Sequence, residues 1–131
     1  MQSYASKQDS YFANARREIE PLLPSSAPRV LEIGCGAGAT LAWLKERGTC
    51  QSTTGVELFE AAAAEARTRV DHVIVANAEQ WIARAGDMPA FDLVLCLDVL
   101  EHMVEPWAFV AQLEQLIAPG GSLVCSIPNV R

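Results

Sequence analysis

Three glycines stand at alternate positions in Glu32-Ile33-Gly34-Cys35-Gly36-Ala37-Gly38, directly after a strand-like run and directly before a helix-like one. A strand-to-helix turn this tight needs permissive backbone angles, and the missing side chains let a nucleotide-bearing ligand approach the main chain closely. Glu57 closes the next strand-like run, at the roughly 20-residue spacing where a carboxylate accepts hydrogen bonds from ribose hydroxyls. Two ligands fit these residues. Gly34, Gly36 and Ala39 satisfy G-x-G-x-x-A with an acid downstream, which suits a nicotinamide dinucleotide. Glu32, two residues before the first glycine, and the further glycine at Gly38 favour a different nucleotide-bearing cofactor.

Other residues offer less. His102 is of the residue type suited to a general base, or it is a hydrogen-bonded structural histidine. His72, just before a strand-like run, reads as a surface residue, and Trp43, Trp81 and Trp107 sit in helical stretches as expected core residues. Cys35, Cys50, Cys96 and Cys125 are scattered without a C-x-x-C pair, so they read as reduced, core-filling thiols. With two histidines and four cysteines lacking ligand-like spacing, no metal is expected.

Alternating strands and helices must position the loop and the acid. An amphipathic helix is expected from Asp9 to Leu23, followed by a proline-rich turn through Pro24 and Pro28. Strands are expected over Val30–Ile33, Thr53–Glu57, Val73–Val75, Phe91–Cys96 and Ser122–Ile127, with helices over Ala39–Arg47, Glu60–Arg69, Glu79–Arg84 and Pro106–Ile117. The last helix should close at Pro119-Gly120-Gly121. Phe91–Cys96 is almost continuously apolar, the pattern of a central parallel strand covered on both faces. The alternation predicts an α/β fold with a doubly wound parallel sheet.

A chain of 131 residues, half of them apolar, supports one compact domain. Its ten Lys and Arg against sixteen Asp and Glu give a net charge of −6, which disfavours nucleic acid and anionic membranes as partners. Met1 to Ser10 is polar, without the apolar stretch of a signal peptide, and no apolar run reaches the roughly 18 residues of a membrane span; a cytoplasmic address is expected.

Taken together, these residues resemble a known family. Val30 to Gly38 looks like motif I of class I S-adenosylmethionine-dependent methyltransferases, and Leu97-Asp98-Val99-Leu100-Glu101-His102 resembles their D-x-x-E-H segment after strand four. Leu116-Ile117-Ala118-Pro119-Gly120-Gly121-Ser122-Leu123 is similar to the family's L-x-P-G-G-x-L turn into strand five. The tail Ser126 to Arg131 resembles small methyltransferase domains found with glycosyltransferases.

The resemblance implies a Rossmann-like methyltransferase sheet in strand order 3-2-1-4-5. Residues 1–28 would form an N-terminal helix and linker, and residues 29–131 a cofactor-binding core lacking strands six and seven. It implies S-adenosylmethionine as cofactor, with S-adenosylhomocysteine as product. Glu57 would hold the ribose hydroxyls, with Leu58 beside it. Gly34, Cys35, Gly36 and Gly38 would face the methionine and ribose portions, and Glu32 would orient the loop and the ligand's amino group. Asn77, Ala78 and Glu79 match the adenine-reading position, although most relatives carry Asp where this chain has Asn77; an amide oxygen still accepts from the adenine amine. Arg16 would reach the methionine carboxylate, Leu97 and Asp98 would line the cofactor's edge, and Glu101 and His102 would open the loop near the transferred methyl. The acceptor would be a small molecule or saccharide. An exposed edge on strand five would make a homodimer a further expectation. An NAD-dependent oxidoreductase domain and a non-catalytic module on the same scaffold stay open beside this reading.

Overall fold

The computed structural model describes residues 12–86 and 88–127. Five parallel strands, β1 (Arg29–Ile33), β2 (Ser52–Glu57), β3 (His72–Val75), β4 (Phe91–Leu97) and β5 (Ile117–Ser126), form one sheet in the order β3-β2-β1-β4-β5. Helices α1 (Ala39–Glu46), α2 (Glu60–Ala66), α3 (Ala78–Ile82) and α4 (Pro106–Glu114) connect them. This is the expected doubly wound arrangement. The strand order reverses between β1 and β4, and in such sheets the crevice outside the carboxyl ends of the strands at that point is where ligands bind.

The apolar run of β4 is explained by its position. In register, Val30 pairs with Leu93, Leu31 with Val94, Glu32 with Leu95 and Ile33 with Cys96. Leu93, Leu95 and Leu97 join one core cluster with Val30, Leu41, Leu44, Ala66 and Val70, while Val94 and Cys96 join a second with Leu31, Ile33, Phe109 and Leu113. Each fully buried Leu or Phe contributes roughly 1.5–3 kcal/mol, so both faces of the central strands hold helices against them. Within this frame Glu32 is anomalous. It is the last residue but one of β1, between Gly55 and Leu95 on the face of the first cluster, and is only 4% exposed.

Several local expectations are corrected. In place of an α-helix to Leu23, the described part of the leading segment is a turn and a short 3-10 helix, Arg17–Leu22; residues 9–11 lie outside the described residues. Pro21 falls inside it, where it removes an N–H donor, and Ile19 is its one buried residue, too little apolar surface to hold an α-helix. The helix expected to reach Arg69 stops at Ala66 and continues as a turn, with Val70 N–H donating to the Ala66 carbonyl. Helix α4 ends at Glu114, and β5 begins at Ile117, because Phe91 N–H takes the Leu116 carbonyl at 2.7 Å and Phe91 pairs with Ile117. Pro119-Gly120-Gly121 therefore forms an irregularity inside β5, where the register shifts between Phe91 and Leu93, rather than a stop before it. Trp107 is 74% exposed instead of core, whereas Trp43 and Trp81 pack against the two clusters. Cys35, Cys50 and Cys96 are buried fillers, but Cys125, the register partner of Cys96 on β5, is exposed. The tail after Ile127 lies outside the described residues.

Candidate functional site

The glycine loop leaves β1 and is pinned to β2 at once. Gly34 and Cys35 N–H groups both donate to the Val56 carbonyl, at 2.7 and 3.2 Å, and Gly36 N–H donates to Glu57 Oε1 at 2.8 Å. Glu57 Oε2 accepts the Phe59 N–H at 3.0 Å. The acid is thus a bracket between the loop and the start of α2, with each oxygen retaining a further acceptor site.

Not all the glycines serve the same purpose. A Cβ at Gly34 would meet Val99 Cγ1 at 2.6 Å, and one at Gly38 would meet Val70 Cγ2 at 2.7 Å, so these two are required by protein packing. Gly36, at φ +57, faces no described heavy atom within 4 Å of such a Cβ. Its bare face is open to whatever the loop receives. Cys35 is required to be small-partnered for another reason: its Sγ would lie 2.5 Å from a Cβ at Gly55. Burial pushes its thiol up to about 12, so it acts as a filler under the loop and not as a nucleophile.

Two adjoining cavities flank the loop, sharing Gly34 and Gly36. The larger, about 610 Å³, is walled by the ends of β1 and β2, by Leu58, Phe59 and Ala62, by Ala76 to Glu79, and by Val99, His102 and Met103. Asn77 caps α3, its Oδ1 accepting the Gln80 N–H at 3.1 Å, which leaves that oxygen one further lone pair. Glu79 also lines this cavity, yet its carboxylate reaches across to the loop after β4 and accepts Val104 and Glu105 N–H groups, each at 3.1 Å. His102 sits in the short 3-10 helix Leu100–His102 with its side chain 79% exposed, 3.5 Å from Glu101 Oε1 through Nε2. Phe59, Ala62 and Met103 were not singled out from the sequence; for Phe59, 68% exposed in the structure, the one signal in the sequence was an aromatic two residues after Glu57.

The smaller cavity, about 310 Å³, is walled by Asn14, Arg16, Glu32, Thr40, Leu97 and the loop. Arg16 is held at its mouth: its backbone N–H donates to Thr40 Oγ1 at 3.0 Å, its guanidinium pairs with Glu18, and its Nη2 lies 2.9 Å from Asp98 Oδ2. The Glu18 bond, with both acids' charge, raises the guanidinium's affinity for its proton. Asp98 bears on the cavity through Arg16. It adopts the left-handed region at φ +55, held there by Ser126, whose Oγ donates to Asp98 Oδ1 at 2.8 Å and whose carbonyl accepts Asp98 N–H at 3.0 Å. Glu32 Oε1 is buried in the cavity wall with no hydrogen-bond partner among the described residues. Burial pushes its carboxyl up to about 8, with Arg16 opposing and Glu57 adding to the rise.

Of the residues singled out from the sequence, Glu57, Leu58, Asn77, Ala78, Glu79 and His102 line one cavity and Arg16, Glu32, Cys35 and Leu97 the other, with Gly34 and Gly36 in both; Gly38 and Asp98 line neither. Among the described residues no group of three metal-ligating side chains converges. No described helix is long and apolar enough to cross a membrane.

The family model for a methyltransferase domain matches residues 4–131. The chain is 35% identical over 105 residues to a ubiquinone biosynthesis O-methyltransferase of Pseudomonas aeruginosa strain LESB58, covering 77% of this chain and 44% of that protein. It thus spans less than half the length of that relative. A SAM-dependent methyltransferase from Archaeoglobus fulgidus superposes with a TM-score of 0.73 at 21% identity, over 97% of this chain and 59% of the other, and so shares the fold. The SAM-bound amino pentose methyltransferase CalS10 from Micromonospora echinaspora superposes with a TM-score of 0.66 at 25% identity, over 97% and 57%.

Proposed function

From the premise that this chain belongs to the methyltransferase-domain family, we propose that it binds S-adenosylmethionine and forms the cofactor-binding part of an enzyme that methylates a small-molecule or saccharide acceptor. The observation that carries this reading is the Glu57 bracket beside an uncovered Gly36, at the switch point of the sheet, next to a buried acid without a partner. A dinucleotide fits the first two features but gives no reason for Glu32.

When bound, the cofactor supplies a methyl group made electrophilic by its sulfonium. The chain's own residues bind and orient. Glu57 accepts the ribose hydroxyls on its remaining lone pairs, and the open face of Gly36 admits the ligand against the main chain. Asn77 accepts the adenine amine on its second lone pair, while Leu58, Phe59 and Ala62 cover apolar surface. At the other end Arg16 takes the α-carboxylate, in exchange for Glu18 or Asp98, and Glu32 receives the ammonium. Cys35 and Gly38 serve by shaping the loop, and Glu79 by holding residues 104 and 105 beside His102. Alignment of acceptor and methyl is the main catalytic lever. His102, exposed at the cavity rim, removes the acceptor proton where that acceptor is a hydroxyl or amine.

Oxygen and amino-sugar acceptors are supported by the names of the two relatives above, and by the tail's likeness to domains found with glycosyltransferases. A cytoplasmic location and a second copy pairing along edge strand β5 complete the proposal; light scattering that finds only monomer removes the dimer. Calorimetric titration with S-adenosylhomocysteine, against NAD and with a Glu57→Ala variant, tests the cofactor. S-adenosylhomocysteine binding weakened at least tenfold in the variant, about 1.4 kcal/mol, supports it. NAD binding alone overturns it.

A further inference from the structure

Glu32 is a buried acid at the site whose Oε1 has no hydrogen-bond partner among the described residues. It is the last residue but one of β1, in register with Gly55 and Leu95, and shares its face of the sheet with Val30, Leu93 and Leu97. Its Oε1 has neither solvent nor a protein donor. An ionised carboxylate in such a place lacks the hydrogen bonds that would compensate its desolvation.

The charged and titratable groups around it do not supply them. Arg16, from the leading segment, is the cation in the same cavity wall, but its guanidinium is committed to Glu18 and Asp98. Glu57 from β2 adds negative charge, and its oxygens accept the Gly36 and Phe59 N–H groups and offer no donor to Glu32. Burial holds the Cys35 thiol of the loop neutral, and Cys125 together with burial does the same for Cys96 on β4, so neither offers a charge to Glu32. Glu32 nevertheless faces a cavity of about 310 Å³. A cation entering that cavity would find the only buried, unpartnered side-chain oxygen among the described residues.

We propose that Glu32 is neutral in the free protein and that cofactor binding expels its proton, the methionine ammonium replacing it as the positive partner of the carboxylate. The proposal rests on the S-adenosylmethionine reading of the site. The proton balance is simple: a neutral acid and a bound ammonium become a carboxylate–ammonium pair, and one proton passes to solvent. Cofactor affinity then rises with pH below neutrality, and Glu32 makes occupancy sensitive to proton concentration. The burial that pushes the free acid up to about 8 is consistent with this.

The test is calorimetry of the chain with S-adenosylhomocysteine in phosphate, imidazole and Tris at pH 6.5, where the slope of observed enthalpy against buffer ionisation enthalpy counts protons. Wild type is expected to release about one proton, and its Kd to fall close to tenfold between pH 6 and pH 7. Glu32→Gln, which keeps shape and an acceptor oxygen, is expected to bind with a slope near zero and no such pH trend. 5′-Methylthioadenosine, which lacks the amino acid, is expected to bind wild type without proton release. Binding of S-adenosylhomocysteine with zero slope in wild type, or with release retained in Glu32→Gln, overturns the proposal and leaves the cofactor reading intact. Absence of S-adenosylhomocysteine binding by wild type overturns the cofactor reading and the proposal with it.

Discussion

Glu57 Oε1 accepts the Gly36 N–H at 2.8 Å, so the acid at the end of β2 and the open glycine of the loop form one unit before any ligand arrives. The second oxygen ties that unit to Phe59 N–H at the head of α2. Ligand recognition and loop geometry therefore share a side chain.

Glu57→Ala is expected to lose both functions. Two backbone donors lose their acceptor, at roughly 1–3 kcal/mol for each that stays buried. The melting temperature should drop together with S-adenosylhomocysteine affinity, whereas Glu57→Gln, which keeps one acceptor oxygen, should retain more stability than affinity. Thermal melts beside calorimetry separate the two, and equal losses in both variants would count against the bracket.

The loop glycines should respond differently to alanine. Gly36→Ala meets no neighbouring atom and costs only its left-handed backbone, about 1–2 kcal/mol, so the variant should fold while the new methyl group blocks the ligand. Gly34→Ala drives a methyl into Val99 Cγ1 and adds overpacking of roughly 1–3 kcal/mol. Urea midpoints should rank Gly36→Ala above Gly34→Ala, with affinity lost in both.

Stability should fall as pH rises from about 4.5 to about 8, the ordinary and the raised values for Glu32. Over that window the folded chain holds a proton that the unfolded chain has released, so unfolding is increasingly favoured; above it this contribution is flat. Glu32→Gln removes the slope, and at pH 9 it should be more stable than wild type by at most on the order of 5 kcal/mol. Urea unfolding of both proteins at pH 5, 7 and 9 checks this, and parallel curves would refute it.

Glu79→Ala should loosen the loop after β4 without unfolding the sheet. Its two acceptor bonds hold Val104 and Glu105 N–H groups at exposed positions, so the cost should be about 1–2 kcal/mol. Faster amide hydrogen exchange confined to residues 103–105 is the expected signature.

His102→Ala should leave the melting temperature and cofactor binding essentially unchanged, within about 0.5 kcal/mol, as its side chain is exposed. In a longer chain with acceptor turnover, kcat should fall while the KM for S-adenosylmethionine stays unchanged. A full wild-type rate would remove His102 as the base.

The sheet was legible in the amino-acid sequence because its signals are local. Alternating apolar runs and helix-forming stretches marked all five strands, the family resemblance implied their order, and the almost continuous apolar run of Phe91–Cys96 marked the strand covered on two faces. Glycine at 34, 36 and 38 with an acid at 57 marked the ligand loop, since positive φ and close approach restrict residue type wherever they occur. What failed were boundaries set by distant partners. Leu116 and Ile117 have helical neighbours, and only pairing with Phe91 draws them into the sheet region. Pro21 and a single buried side chain, Ile19, left the leading segment without an α-helix that its pattern had promised.

Within the site, sequence position assigned each residue to a neighbourhood and tertiary structure decided its state. Nothing in the string of letters distinguishes Gly36 from Gly34 and Gly38, because the difference is whether Val99 or Val70 stands behind the missing side chain. Likewise the sequence places Glu32 ahead of the glycine loop and Arg16 in the leading segment without saying what either is paired with. The fold sets the first among leucines without a donor and turns the second toward Glu18 and Asp98. Residue types and periodicity determine which elements form; desolvation and pairing across more than sixty residues of chain, properties of the packed molecule alone, determine which of its charged groups await a ligand.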